Sequence, residues 1–124
     1  MRTLLLVAHG SRVTSSNDSV VELVEKLRAR LASYGFDAIT HAFLELTTPG
    51  IPEGVQSLVK AGASQVVVLP YFLAPGTHVI DDMPELIGAA EKEYPTVSFS
   101  VMPYLGGAEG IIDLILDSAS KAGS

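Results

Sequence analysis

The stretch Thr3-Leu4-Leu5-Leu6-Val7-Ala8-His9-Gly10-Ser11-Arg12 decides how the rest of the chain is read. Its first six residues are almost wholly apolar and lack polar alternation, the pattern of a strand buried on both faces in a parallel sheet. The run then breaks into an imidazole, a glycine, a hydroxyl and a guanidinium. Gly10 permits a turn at a backbone conformation that other residues avoid. The strand therefore delivers His9 to the carboxyl edge of a sheet, where open α/β sheets bind ligands.

Outward from this stretch, strand and helix signals alternate. Val13 to Asp18 is a polar loop rich in capping residues, with an N-cap expected between Ser15 and Ser19 and capping-box spacing from Ser19 to Glu22. Val20, Leu23, Val24, Leu27 and Leu31 predict a helix to about Tyr34, ended by Gly35. Phe36 to Leu44 predicts a second strand that finishes at Glu45. Ile51, Val55, Leu58 and Val59 predict a helix with Pro52 in its first turn and Gly62 at its close. Gln65 to Pro70 is a β-branched strand leading into Tyr71 to His78, a loop too apolar for ordinary surface. Asp81-Asp82-Met83-Pro84 opens a third helix to about Tyr94, the aspartates favouring its N-terminus electrostatically. Val97 to Met102 is a fourth strand. A last helix carries Ile111, Ile112, Ile115, Leu116 and Ala119 on its apolar side. This order predicts one α/β domain over residues 1–124, a three-layer α/β/α sandwich. Its sheet has four parallel strands in the flavodoxin-like order 2-1-3-4, with right-handed crossovers.

Composition narrows the function classes. A 48% hydrophobic content supports a packed core. The absence of cysteine excludes disulfides and thiolate metal sites and fits a reducing cytoplasm. The first apolar run is too short for a signal region or a membrane span. A net charge of −6 offers no electrostatic footprint for nucleic acid or anionic lipid. No glycine-rich phosphate loop is present. A small-molecule partner is the expectation.

The topology sends His9-Gly10-Ser11-Arg12, Glu45, the Tyr71 to His78 loop and Pro103 to Gly107 to the same edge. His9, His78 and Glu45 form a ligand set suited to a divalent first-row metal. Each has a structural reading too: a histidine after a strand often caps or packs, and a strand-end glutamate is often solvated. His41 lies mid-strand and is set aside as structural. The segment Tyr71-Phe72-Leu73-Ala74 either caps the core or walls a large flat ligand. Gly10, Gly76 and Gly106 read first as turn formers.

Several ordered segments together resemble the class II tetrapyrrole chelatases. These are Leu4 to Arg12, Phe43-Leu44-Glu45 with Pro49, Leu69-Pro70-Tyr71-Phe72-Leu73 running to Gly76-Thr77-His78, and Asp82-Met83-Pro84. More closely, the chain is similar to the short, single-domain sirohydrochlorin chelatases of the CbiX kind, over essentially its whole length. That resemblance implies insertion of a divalent metal into sirohydrochlorin or a related macrocycle, on the way to cobalamin, coenzyme F430 or sirohaem. Cobalt is the foremost metal, with nickel or ferrous iron as alternatives. It implies that His9 and His78 hold the metal and act in catalysis with Glu45 as acidic partner. Gly10, Ser11, Arg12, Tyr71, Phe72, Leu73, Gly76 and Thr77 would then contact the macrocycle. The metal is a substrate, no cofactor is permanently bound, and short members pair as homodimers. Two other readings remain. One is a carrier or sensor that binds metal or tetrapyrrole without joining them. The other is a histidine phosphatase, which would need an arginine where Ala8 stands.

Overall fold

The inner strand β1 (Arg2–Ala8) has β2 (Ala38–Phe43) on one side and β3 (Gln65–Pro70) on the other, with β4 (Ser98–Val101) at the far edge. All three pairings are parallel, and the order is β2-β1-β3-β4, as the alternation of elements predicts. The computed structural model describes residues 1–74 and 76–123; the side chains of residues 77–80 lie outside that description.

Side chains alternate across the sheet. Leu5, Val7, Val66 and Val68 face α2 (Ile51–Lys60) and α3 (Thr77–Glu93), meeting Val55, Leu58, Met83 and Ile87. Leu6, Ala8, Ile39 and Phe43 face α1 (Thr14–Arg28), meeting Val20 and Val24. Full burial of each large aliphatic contributes about 1.5–3 kcal/mol, so these two layers hold the sheet. Thr3 is the buried polar residue of β1, and its hydroxyl donates to the Gln65 carbonyl at 2.8 Å. No helix among the described residues is long and apolar enough to cross a membrane.

Local boundaries differ from the sequence reading in instructive places. α1 begins at Thr14 with Val13 as N-cap and no side-chain cap, so neither the serines nor the Ser19 and Glu22 pair cap it. Ser19 instead bonds back to the Ser15 carbonyl within the helix. After Arg28 the chain passes into a separate 3-10 turn at Leu31–Tyr34, which Gly35 ends in the left-handed region (φ 82°). α3 starts at Thr77, so Pro84 lies inside the helix and His78 belongs to its first turn. Asp81 and Asp82 consequently fall beyond the first turn, which has no acidic residue, and they do not serve the N-terminus. The last helix, α4 (Gly110–Ser120), makes its main contacts with the 3-10 turn Leu105–Gly107. Ile112, Ile115 and Leu116, expected to pack, are 57–61% exposed.

Candidate functional site

Hydrogen bonding between neighbouring strands continues past their carboxyl ends, and this continuation builds the site. The Leu44 amide donates to the Ala8 carbonyl (2.8 Å) and the Glu45 amide to the His9 carbonyl (3.1 Å). On the other side of β1, the Tyr71 amide donates to the Val7 carbonyl at 2.7 Å. Further out, the Gly106 amide donates to the Phe72 carbonyl at 3.1 Å. His9, Glu45, the Tyr71 to Leu73 segment and the Leu105–Gly107 turn thus form adjacent rows of one edge.

Gly10 makes that convergence possible. Its φ is +89°, and a Cβ there would stand 1.9 Å from the Glu45 carbonyl oxygen. Only a residue without a side chain lets the loop lie against the Glu45 backbone. Gly106 has an equally direct role, since its Cβ would fall 1.8 Å from the Leu73 carbonyl oxygen. Gly76 differs: it is the extended N-cap of α3, with φ −79° and, among the described residues, no atom within 4 Å of its missing Cβ. Its turn-forming role is not required by the backbone.

Asn17 fastens the loop that follows His9. Its Oδ1 accepts from the Ser11 amide at 2.9 Å, and its Nδ2 donates to the Ser11 carbonyl at 2.8 Å. The Ser11 hydroxyl in turn accepts from the Val13 amide at 3.0 Å. From sequence, Asn17 is one capping residue among several, and nothing in its spacing from Ser11 marks it as a loop clamp. Arg12, beyond the clamp, is exposed.

The His9 ring is half-buried and packs at 4.5 Å, tilted by 44°, against the Phe72 ring. An apolar neighbour restricts the imidazole's plane while asking nothing of its two nitrogens. Phe72 is itself buried in the α2 and α3 layer, while Tyr71 packs against the α1 layer. Leu73, 69% exposed, lies outside both. The two readings of this segment therefore divide between its residues: Tyr71 and Phe72 join the core, and Leu73 offers a free apolar surface. Thr77 and His78 are the first two residues of α3, but their side chains lie outside the described residues. Among the described residues no three histidine, aspartate, glutamate or cysteine side chains gather closely enough to hold a metal ion. His41 lies within β2, edge-on to Phe43 at 5.4 Å. Its pKa is held below the ordinary imidazole value by burial first and by the Arg28 charge second.

Comparison with known proteins bears on this edge. The family model described as CbiX matches residues 3–122. The sirohydrochlorin cobaltochelatase of Methanococcus maripaludis is 40% identical over 93 residues, covering 75% of this chain and 62% of that protein. The chloroplastic sirohydrochlorin ferrochelatase of Arabidopsis thaliana is 33% identical over 114 residues, covering 92% and 49% respectively. The sirohydrochlorin chelatase SirB from Bacillus subtilis subspecies spizizenii, solved in complex with cobalt, superposes with a TM-score of 0.81 at 29% identity. That match covers 97% of this chain and 50% of SirB. The chain thus spans less than two thirds of the length of these relatives. With the matched fold and nearly the whole chain inside the family model, the protein belongs to the CbiX family.

Proposed function

We propose that this protein is a sirohydrochlorin chelatase, a lyase that inserts a divalent metal into a tetrapyrrole, with cobalt foremost and nickel or ferrous iron as alternatives. The observation that carries this reading is the backbone bond that sets Glu45 beside His9 on the sheet's carboxyl edge, with His78 in the first turn of α3, the helix that follows β3. The names of the cobalt- and iron-inserting relatives support it.

Metallation exchanges two pyrrole N–H protons for one divalent cation. The site must offer the metal to one face of the ring and accept protons near neutral pH. Neutral imidazole does either, with an unperturbed pKa of about 6.5. His9 and His78 would bind the incoming metal and take up the displaced protons. Glu45 would orient a histidine or supply a further ligand and part of the charge compensation. The free Leu73 side chain would meet the ring's apolar face. Gly10, Ser11, Arg12, Tyr71, Phe72, Gly76 and Thr77 complete the proposed macrocycle edge. Ser11, Arg12 and backbone amides there would meet its peripheral carboxylates.

The working form would be a cytoplasmic homodimer, because a macrocycle is large against the edge of a domain of this size. Its product would feed cobalamin, coenzyme F430 or sirohaem synthesis.

Anaerobic absorbance spectra of sirohydrochlorin with Co²⁺, Ni²⁺ or Fe²⁺, with and without protein, test the reading. Metallation above the spontaneous rate is expected. His9→Ala and His78→Ala should each lower it by roughly 10²–10⁴-fold while the fold persists. A bound macrocycle without faster metallation would instead support the carrier reading.

A further inference from the structure

The backbone around His9 is held from several directions. The His9 carbonyl accepts from the Glu45 amide at 3.1 Å, Gly10 turns sharply after it, and Asn17 clamps both polar groups of the Ser11 backbone. A fixed backbone does not fix an imidazole. The terminal torsion of a histidine joins an sp³ to an sp² carbon, so its energy profile is broad and roughly two-fold. A group must lie against the ring itself if the plane of the ring is to be set. In metal-binding histidines an acceptor on the second ring nitrogen usually does this. Here the group against the ring is Phe72, whose ring centre lies 4.5 Å from that of His9 at a tilt of 44°.

We propose that Phe72 is the positioning residue of His9: its buried ring sets the plane of the imidazole from one face and leaves the two nitrogens for metal and proton. The chemical meaning of this role rests on the chelatase reading above, while the positioning itself rests on geometry. The separation is at the short end of the roughly 4.5–7 Å over which aromatic rings interact, so turning the imidazole about its terminal torsion drives an edge into the phenyl face. A flat contact of this kind uses neither nitrogen, whereas a hydrogen bond would occupy one of the two.

A positioning group works only if it is itself immobile. Phe72 is 7% exposed and lies in the layer that holds Val55, Met83 and Ile87. Its segment hangs between two neighbours. The Tyr71 amide donates to the Val7 carbonyl at 2.7 Å, and the Phe72 carbonyl accepts from the Gly106 amide at 3.1 Å. Gly106 stands so close that a Cβ on it would fall 1.8 Å from the Leu73 carbonyl oxygen. The Leu105–Gly107 turn thus buttresses the wall from its outer side. A ring this buried offers little area to a macrocycle, so Phe72 belongs to the proposed edge through His9. Leu73, 69% exposed, is the neighbour free to meet a ligand directly. A reacting group misplaced by about 1 Å can cost about 10²-fold in rate, so holding this ring matters to the chemistry.

Carbon-13 relaxation of the full-length, metal-free protein reads the positioning directly. The His9 ring should show an order parameter of about 0.85, as in rigid backbone. Phe72→Leu, which stays apolar but removes the flat face, should lower it below about 0.6. Ile87→Ala removes bulk from the same layer and should leave it unchanged. A His9 ring already mobile in the unaltered protein would overturn the proposal without any variant. So would a ring that stays rigid in Phe72→Leu, or one that loosens equally in Ile87→Ala. Steady-state metallation of sirohydrochlorin with Co²⁺, corrected for the folded fraction, gives the second readout. Phe72→Leu should lower kcat about 10- to 100-fold and keep KM for the macrocycle within about twofold. A raised KM with unchanged kcat would make Phe72 a wall for the ligand and sink the positioning role. If His9 is ordered through Phe72 and the unaltered protein does not metallate, the chelatase reading fails and the positioning stands.

Discussion

At the residue scale, the edge depends on a few positions whose backbone cannot be shared with another residue type. Gly10→Ala should unfold the protein at lower urea concentration, by more than the roughly 1–3 kcal/mol of left-handed strain alone, because its Cβ also meets the Glu45 carbonyl. Gly76→Ala is the control: lost chain entropy in the unfolded state and a poorer N-cap oppose each other, so stability should change by less than about 0.5 kcal/mol. Asn17→Ala removes both clamps on Ser11 and should cost about 1–2 kcal/mol in urea melts. Metallation should fall further than stability explains, about tenfold, since the freed loop adjoins His9. The glycine turn after β1 was legible in the sequence because a sharp end to an apolar run demands one. The Asn17 clamp was not, because an asparagine near a helix start reads equally well as a cap. His41 makes a separate prediction. Its folded pKa lies below the unfolded value, so the unfolded chain binds the extra proton as pH falls through that window. Stability should therefore be flat above the ordinary imidazole range and decline with acidification below it, and His41→Gln should lessen that decline in pH-dependent urea melts.

At the element scale, α2 shows how closely a helix can approach this sheet. Gly54 is buried, and a Cβ on it would stand 3.0 Å from Leu5 Cδ1 and 3.1 Å from Ala42 Cβ. Both neighbours are fully buried and have little room to yield. Gly54→Ala gains about 1 kcal/mol of helix propensity but overpacks the layer at a cost of about 1–3 kcal/mol. The net effect should be a loss measurable as a lower urea midpoint, and Gly54→Leu should lose more. Helix faces were read correctly from period: Val20 and Val24, or Val55 and Leu58, are buried where the spacing places them. Helix starts were read less well. Pro84 suggests a first turn, yet α3 begins seven residues earlier and carries the proline inside it. That displacement moved His78 from a loop onto the first turn of a helix. The apolar stripe of α4 was equally visible, but periodicity says only that a helix wants a partner, not whether the partner is its own sheet.

At the scale of the whole molecule, topology carried the site further than any motif. Residues as distant in sequence as His9, Glu45 and Phe72 meet because each follows a parallel strand, and parallel strands end together. Net charge acts at the same scale and with opposite sign on the two proposed substrates. At −6 the protein attracts a divalent cation and repels a macrocycle rimmed with carboxylates. Salt screens both over a Debye length that shrinks from about 30 Å at 0.01 M to about 10 Å at 0.1 M. Raising the salt over this interval should lower kcat/KM measured with limiting metal and raise it with limiting macrocycle. Steady-state metallation with each substrate limiting in turn measures both slopes. If instead a locally basic edge governed macrocycle capture, both slopes would be negative. Arg12→Gln would then steepen neither and weaken the macrocycle's response. Opposite slopes with Arg12→Gln lowering macrocycle affinity at all salt concentrations would place recognition in short-range contacts beside His9, working against the field of the molecule as a whole.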